Sequence, residues 1–119
     1  MKQWEKRIVV LNNVYKFLLT GDTKINNKEN LDEWTISILN FSYINTPLII
    51  EKINPFLKND WTWDRILPIN QAIIIMAYSE KKIFDTDVSI IINEAIKTAK
   101  NYSDDSSYKF INSILDKIL

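Results

Sequence analysis

The side chains that could do chemistry in this 119-residue chain are carboxylates, lysines, hydroxyls and aromatic rings, because the sequence has no histidine and no cysteine. Without cysteine there is no thiol nucleophile, disulfide framework or thiolate zinc site. Without histidine the commonest general base and the commonest transition-metal ligand are both absent. The single glycine, Gly21, cannot build a glycine-rich phosphate loop. We therefore predict a protein that is not an enzyme and needs no cofactor.

One pair of neighbouring residues has the chemistry of a single-stranded RNA contact. Lys109 and Phe110 place a cation beside an aromatic ring, and single-stranded RNA is bound by stacking of bases on such rings next to positive charge. Phe110 lies off the main apolar stripe of its segment, so a partly exposed ring is predicted. The alternative is that Phe110 fills a second apolar flank together with Ile114.

A second group of cations lies near the N-terminus, where Lys2, Lys6 and Arg7 share the first turns of a predicted helix. These side chains can contact RNA phosphates, each with a salt slope of about 0.7. The alternative is an ordinary solvated helix face.

Two carboxylate motifs have stronger structural than catalytic interpretations. Asp104-Asp105, followed by Ser106, is better suited to capping a helix than to binding a metal. Asn93-Glu94 falls on a polar helix face, where a hydrogen bond to a neighbouring helix or loop is expected rather than a catalytic role.

The overall charge excludes a broad cationic surface, since 15 Lys and Arg balance 15 Asp and Glu. Any anionic partner must therefore meet a local patch. The longest apolar stretch, Ala72–Tyr78, is too short to cross a membrane, and the N-terminus shows no signal-peptide pattern. We expect a soluble, cytoplasmic protein.

The elements that must position these groups are helices, because apolar residues recur at helical spacing and turn residues are few. A first helix is predicted from about Lys2 to Leu19, ending near Gly21. Its apolar stripe is Trp4, Ile8, Leu11, Tyr15 and Leu18, widened by Val10, Val14 and Phe17. A loop over 22–30 follows, then a helix capped by Asn30 or Asp32 and a third helix from Pro47 to about Leu57. Asn59-Asp60 opens a stretch that holds Trp61 and Trp63, with a helical turn over 63–67. Three further helices are predicted: a buried one over Pro68–Lys82, one capped by Asp87, and a last one capped by Asp104, Asp105 or Ser106. This pattern predicts one all-α domain of about six to seven helices, spanning 1–119. Trp61 and Trp63 are expected to anchor a loop, although an exposed tryptophan can also serve a partner.

From Trp61 onward the sequence resembles the NusB family of transcription antitermination factors. The three blocks that carry the resemblance are Trp61-x3-Arg65 with Ile69–Ala77 and Glu80, then Ile92–Lys100 (INEAIKTAK), and then Ser107–Asp116 (SYKFINSILD). They are similar to the family's W…R…AILR-A-x-x-E block, its INEA-x-E-x-AK helix and its KF-[IV]-NG-[IV]-LD helix. Arg7 and Tyr15 extend the resemblance weakly to the family's N-terminal helix.

The resemblance implies an all-helical fold of two packed subdomains, here 1–58 and 59–119, and a non-enzymatic role in RNA binding. Family members bind the boxA element of rRNA leader transcripts together with NusE, a ribosomal protein of the small subunit. The pair loads onto RNA polymerase and opposes termination, which also implies a part in ribosome maturation. By match to the family, the RNA-contacting positions are Lys2, Lys6, Arg7, Lys109 and Phe110, and the NusE-contacting positions are Tyr15 and Asn70.

A second function remains open from the sequence. The family's N-terminal arginine-rich motif is reduced here to Lys2, Lys6 and Arg7, and the net charge is zero. A protein–protein adaptor on the same fold, with RNA binding weakened or lost, is the alternative.

Overall fold

The architecture is organised around one helix that is buried along most of its length. The computed structural model describes residues 1–58 and 61–119, and within these ranges the chain forms five α-helices and no strand. The helices are α1 (Gln3–Thr20), α2 (Glu33–Ile53), α3 (Pro68–Phe84), α4 (Val88–Tyr102) and α5 (Ser107–Ile118), with short 3₁₀ turns at Lys28–Asn30, Asn54–Phe56 and Trp63–Arg65. Every residue of α3 from Asn70 to Glu80 is buried, and α3 contacts each of the other four helices. The predictions of an all-α fold and of a buried, apolar helix here are confirmed.

The helix ends follow the local signals in the sequence. Gly21 adopts a left-handed conformation (φ 76°) and closes α1 with a hydrogen bond from its N–H to the Phe17 carbonyl. Asp32 accepts a hydrogen bond from the backbone N–H of Thr35 at 2.9 Å, and Asp87 accepts one from Ser89 at 2.8 Å. These side chains satisfy N–H groups that have no partner within the helix.

The prediction of a separate helix starting at Pro47 is wrong. α2 runs without interruption from Glu33 to Ile53, with Pro47 inside it. Ile38 before the proline and Ile49 after it are both fully buried in the same core. A continuous helix keeps both on one face against α3, and that burial outweighs the hydrogen bond that proline cannot donate. The described part of the chain therefore has five α-helices rather than six or seven.

The buried face of α1 is rotated from the predicted stripe. Its buried residues are Arg7, Val10, Leu11 and Val14, whereas Trp4 is 58% exposed and Tyr15 is 36% exposed. The apolar arc of this helix is wide, so spacing alone left its centre undefined. Val10, Leu11 and Val14 are fully buried in the core on this side, and Arg7 turns inward beside them to meet Glu80 of α3.

The buried side chains form one cluster that joins α1 and α2 to α3, α4 and α5. The proposed subdomain boundary lies at Asn59-Asp60, outside the described residues, and the division into two subdomains stays a prediction. None of the described helices has the length and apolar character needed to span a bilayer.

Candidate nucleic-acid interface

Lys109 and Phe110 lie on the first turn of α5, at the molecular surface. Lys109 is exposed and Phe110 is half-buried. The Phe110 ring stacks on the ring of Trp61, with 6.3 Å between the ring centroids and 29° between the planes. The predicted combination of a cation beside a partly exposed aromatic ring is therefore present.

A groove opens beside this aromatic pair, and we call it the Phe110 groove. Its volume is about 330 Å³, and its lining residues are Phe56, Leu57, Lys58, Trp61, Lys109, Phe110, Ser113, Ile114 and Lys117. The ammonium of Lys117 lies 6.0 Å from the centre of the Phe56 ring, within cation–π range. The groove thus combines aromatic faces with lysines from two parts of the chain.

A polar network fixes the start of α5 and so the position of Phe110. The Asn70 amide donates to the Ser107 hydroxyl at 2.8 Å, and its oxygen accepts from the Ser103 hydroxyl at 2.8 Å. Asp104 accepts from the Ser107 backbone N–H at 3.0 Å and also from the Ser107 hydroxyl, which lowers the pKa of the Asp104 carboxyl. The N-cap position of α5 is Ser106, and Asp104, two residues earlier, accepts the first N–H of the helix in its place.

Asn70 was expected to contact a protein partner, but it is only 5% exposed and both ends of its amide are engaged inside the protein. A direct contact between Asn70 and a partner stays a prediction, and the structure gives Asn70 internal hydrogen-bond partners. Asn70 joins the N-terminal end of α3 to the turn between α4 and α5, and it does not present a free polar group to a partner.

Arg7 was interpreted from the sequence as a solvent-facing cation, but its side chain is buried. Its guanidinium donates two hydrogen bonds to the Glu80 carboxylate, at 3.1 and 2.9 Å, and the Arg7 and Glu80 side chains are only 11% and 3% exposed. It also lies 5.7 Å from the centre of the Trp34 ring. A buried cation needs such a partner, and the guanidinium N–H groups that pair with Glu80 are not available to a phosphate at the surface.

The two lysines of the N-terminal group have different surroundings. Lys6 forms an ion pair with Asp32, the cap of α2. Hydrogen bonds from Lys6 and from the Thr35 backbone lower the pKa of Asp32 to about 2. Lys2 is exposed, and its backbone N–H donates to Glu5 at 2.9 Å in the first turn of α1. Of the three predicted phosphate contacts, Lys2 alone has an exposed side chain with no ion pair among the described residues.

The five predicted RNA-contacting residues fall into two separate groups. Phe110 shares a second groove with Asn70, near the start of α3, whereas Arg7 pairs with Glu80, near its end. Ten residues of helix separate Asn70 from Glu80, which is about 15 Å along the axis. Arg7 and Phe110 are therefore tied to opposite ends of α3, although the groove beside Trp4 and Arg7 also reaches Asn101 and Tyr102 at the end of α4.

The remaining motifs show no arrangement for catalysis. Glu94 lies 3.6 Å from Lys97 and is partly buried at the edge of a groove that Arg7 also lines, whereas Asn93 is exposed. Among the described residues, no cluster of three or more acidic side chains is placed to hold a metal ion. Tyr15 lies on α1 with its ring partly exposed.

Three residues of the Phe110 groove were not identified from the sequence: Phe56, Lys58 and Lys117. Lys117 follows Phe110 by seven residues, or two helical turns, so the helical period placed it on the same face. Phe56 and Lys58 come from the segment after α2 and reach the groove only through tertiary packing, for which the sequence has no local signal.

Comparison with known proteins places this arrangement in a defined class. The fold matches a solved structure of T. maritima NusB with a TM-score of 0.83 and 25% sequence identity, over 99% of this chain and 90% of that one. The class is thus an all-α protein with the fold of T. maritima NusB. The model of the NusB family matches residues 37–119, and the chain belongs to the NusB family.

Curated relatives agree with this assignment. The transcription antitermination protein NusB of Staphylococcus aureus, in strains JH9 and Newman, is 43% identical over 72 residues, which is 60% of this chain. The match covers 55% of each relative, so the chain aligns with about half of their length. Family membership supports the prediction that the chain is not an enzyme.

Proposed function

We propose that this chain is an RNA-binding transcription antitermination factor that acts in the cytoplasm on boxA-type rRNA leader RNA together with NusE. In this role it supports rRNA transcription through the RNA polymerase antitermination complex, and it supports ribosome maturation. The observation that carries the proposal is the half-buried Phe110 ring beside the exposed Lys109 at the Phe110 groove. The name of the S. aureus relatives and the membership of the NusB family add support.

The residues have distinct roles in this proposal. Phe110 stacks a base, and Lys109 neutralises a neighbouring phosphate. Lys2 supplies a more distant phosphate contact, and Lys6 adds to it when RNA displaces Asp32. Arg7 acts through its buried pair with Glu80, by holding the N-terminal part of α1 in place.

The contact with NusE is assigned to Tyr15. Its ring is 36% exposed, and an amphipathic side chain of this kind is well suited to a protein interface. Asn70 contributes indirectly, because its hydrogen bonds to Ser103 and Ser107 hold the turn that precedes Lys109 and Phe110.

The test is a titration of boxA-type RNA with the purified protein, with and without purified NusE, against a scrambled RNA of equal length. We expect tighter binding of the boxA sequence, and tighter binding still with NusE. Phe110→Ala should lose about tenfold or more in affinity, since one stacked base is removed. Phe84→Ala removes an exposed ring (41%) at the far end of α3 and should leave affinity unchanged. Equal binding of both RNAs, even with NusE present, would contradict the proposal.

The second candidate is the protein–protein adaptor. The observation that favours it is the internal pairing of Arg7 with Glu80 and of Lys6 with Asp32, which leaves few cations for RNA at the N-terminus. An adaptor predicts that a ribosomal or polymerase partner is recovered in a pull-down after nuclease treatment. It also predicts that Lys2→Glu and Lys109→Glu leave that recovery unchanged, whereas an RNA-mediated complex is lost.

A further inference from the structure

We propose that the Phe110 groove receives a single RNA nucleobase between the end of α2 and α5, with Trp61 and Phe56 as additional stacking surfaces and Lys58 and Lys117 as additional phosphate contacts. The inference rests on the proposed function and deepens it, because it assigns the position of a base. It adds three binding residues that lie outside the family-like motifs, Phe56, Lys58 and Lys117, to Trp61, which begins the first of those motifs.

The aromatic surfaces are the first step of the argument. Trp61 is 54% exposed and Phe56 is 40% exposed, although both rings border the same groove. Large rings exposed together, rather than singly, are typical of binding sites. Trp61 is also held in place by stacking on Phe110, so its outer face is oriented before any ligand arrives.

The distribution of charge is the second step. Lys58, Lys109 and Lys117 all line the groove, and none of the lining residues that the structure describes is acidic. In a chain of zero net charge, three lysines around one groove concentrate positive charge there. The neighbouring groove, which shares the Trp61 and Phe110 rings, has the carboxylate of Asp104 in its lining. Lys117 lies over the Phe56 ring, so a phosphate bound there would sit beside a stacked base.

The size of the groove favours a base over a protein segment. Nine residues line it, whereas a stable protein interface uses about 20–30 residues on each side. Its volume of about 330 Å³ suits a small planar group. Aromatic faces with adjacent lysines are the arrangement by which proteins bind single-stranded nucleic acid.

The test measures binding of a short fluorescein-labelled boxA-type RNA by anisotropy, at several salt concentrations, with melting temperatures as a check on folding. Trp61→Ala should weaken binding by about tenfold or more, while Trp61→Phe should stay within about threefold because a stacking ring remains. Lys117→Met should weaken binding and reduce the salt slope by about 0.7. Lys97→Met is the matched control, since Lys97 is exposed on α4 and lies outside the groove; both its affinity and its salt slope should equal those of the unaltered protein.

The outcomes separate this inference from the function on which it rests. If Phe110→Ala weakens binding but Trp61→Ala and Lys117→Met do not, the groove assignment is wrong and the proposed function stands. Equal losses for Trp61→Ala and Trp61→Phe, with lowered melting temperatures, would show a purely structural tryptophan and would also overturn it. If boxA-type RNA binds no better than scrambled RNA, both proposals fail. If NusE lowers the solvent exposure of Trp61 while Trp61→Ala leaves RNA affinity unchanged, the groove binds a protein instead.

Discussion

Arg7 and Glu80 form a charged pair in the protein interior, and this pair decides which residues of α1 can meet a ligand. The two residues are 73 positions apart in the chain, so no local sequence pattern predicts their contact. The pairing turns Arg7 inward and leaves Trp4 and Lys2 at the surface. A residue that matches an RNA-contacting position of the family thereby has a structural role here.

The first prediction at this scale concerns Glu80. Glu80→Ala leaves the Arg7 guanidinium buried without its partner, and we expect the free energy of unfolding to fall by about 3–5 kcal/mol. Urea denaturation, monitored by circular dichroism, measures this change in the free energy of unfolding. Glu51→Ala, at an exposed position of α2, should change stability by less than about 0.5 kcal/mol. The double variant Arg7→Met/Glu80→Met should recover most of the loss, and a double variant as unstable as Glu80→Ala would contradict the explanation.

The second prediction concerns Asp32 and pH. Its pKa is lowered from 3.8 to about 2 by the hydrogen bonds from Lys6 and Thr35, so its charged form is favoured in the folded state. Its contribution to stability is therefore fully present above pH ~4 and is lost as the pH falls toward 2. Asp32→Asn keeps a good helix cap but removes the ion pair, so we expect a loss of less than about 1 kcal/mol at neutral pH. Thermal melts should show this difference shrinking below pH 4; a constant difference down to pH 2 would rule out the assigned role.

At the scale of elements, the sequence predicts what local chemistry decides and misses what distant packing decides. Gly21, Asp32 and Asp87 mark helix ends because their own side chains or backbone close those ends. Pro47 was misinterpreted because its local preference is overridden by the burial of α2 on both sides of it. The same division holds for the site: Lys109-Phe110 was visible in the sequence, whereas Phe56 reaches the Phe110 groove only in the folded chain.

The prediction at this scale tests Pro47. Proline in a helix interior is about 3 kcal/mol less favourable than alanine, although its rigidity in the unfolded chain returns about 0.4–1 kcal/mol. Pro47 is exposed, so Pro47→Ala restores a backbone donor without disturbing the core. We expect the free energy of unfolding to rise by about 2 kcal/mol in urea denaturation. A decrease would mean that α2 depends on the proline, contrary to the account given for its continuity.

At the scale of the whole molecule, zero net charge limits how RNA can be bound. In the proposed function the phosphate backbone meets no broad positive field, so we expect the affinity to come from the Phe110 groove and from Lys2. Stacking then contributes a larger share than in a strongly basic protein. A basic partner is a natural source of the charge that this chain lacks.

The corresponding prediction concerns salt. Contacts from Lys58, Lys109, Lys117 and Lys2 correspond to four phosphates, which gives a slope of log K against log salt of about −3. Anisotropy titrations of the protein alone, from low to moderate salt, measure this slope. Addition of NusE should steepen it. A slope near zero for the protein alone would contradict phosphate contacts by these lysines, and one far steeper than −3 would require a wider basic surface.

The burial of α3 has a consequence for motion. Backbone amides in a helix that touches all four others become exposed to solvent only when those helices separate, so their hydrogen exchange should follow global unfolding. Local opening of the outer helices then leaves the two ends of α3 at a fixed spacing. While α1 and α5 are docked, the Asn70 network ties the start of α5 to one end of α3 and the Arg7–Glu80 pair ties α1 to the other end. An RNA strand that contacts both helices must adjust its own length to this fixed separation.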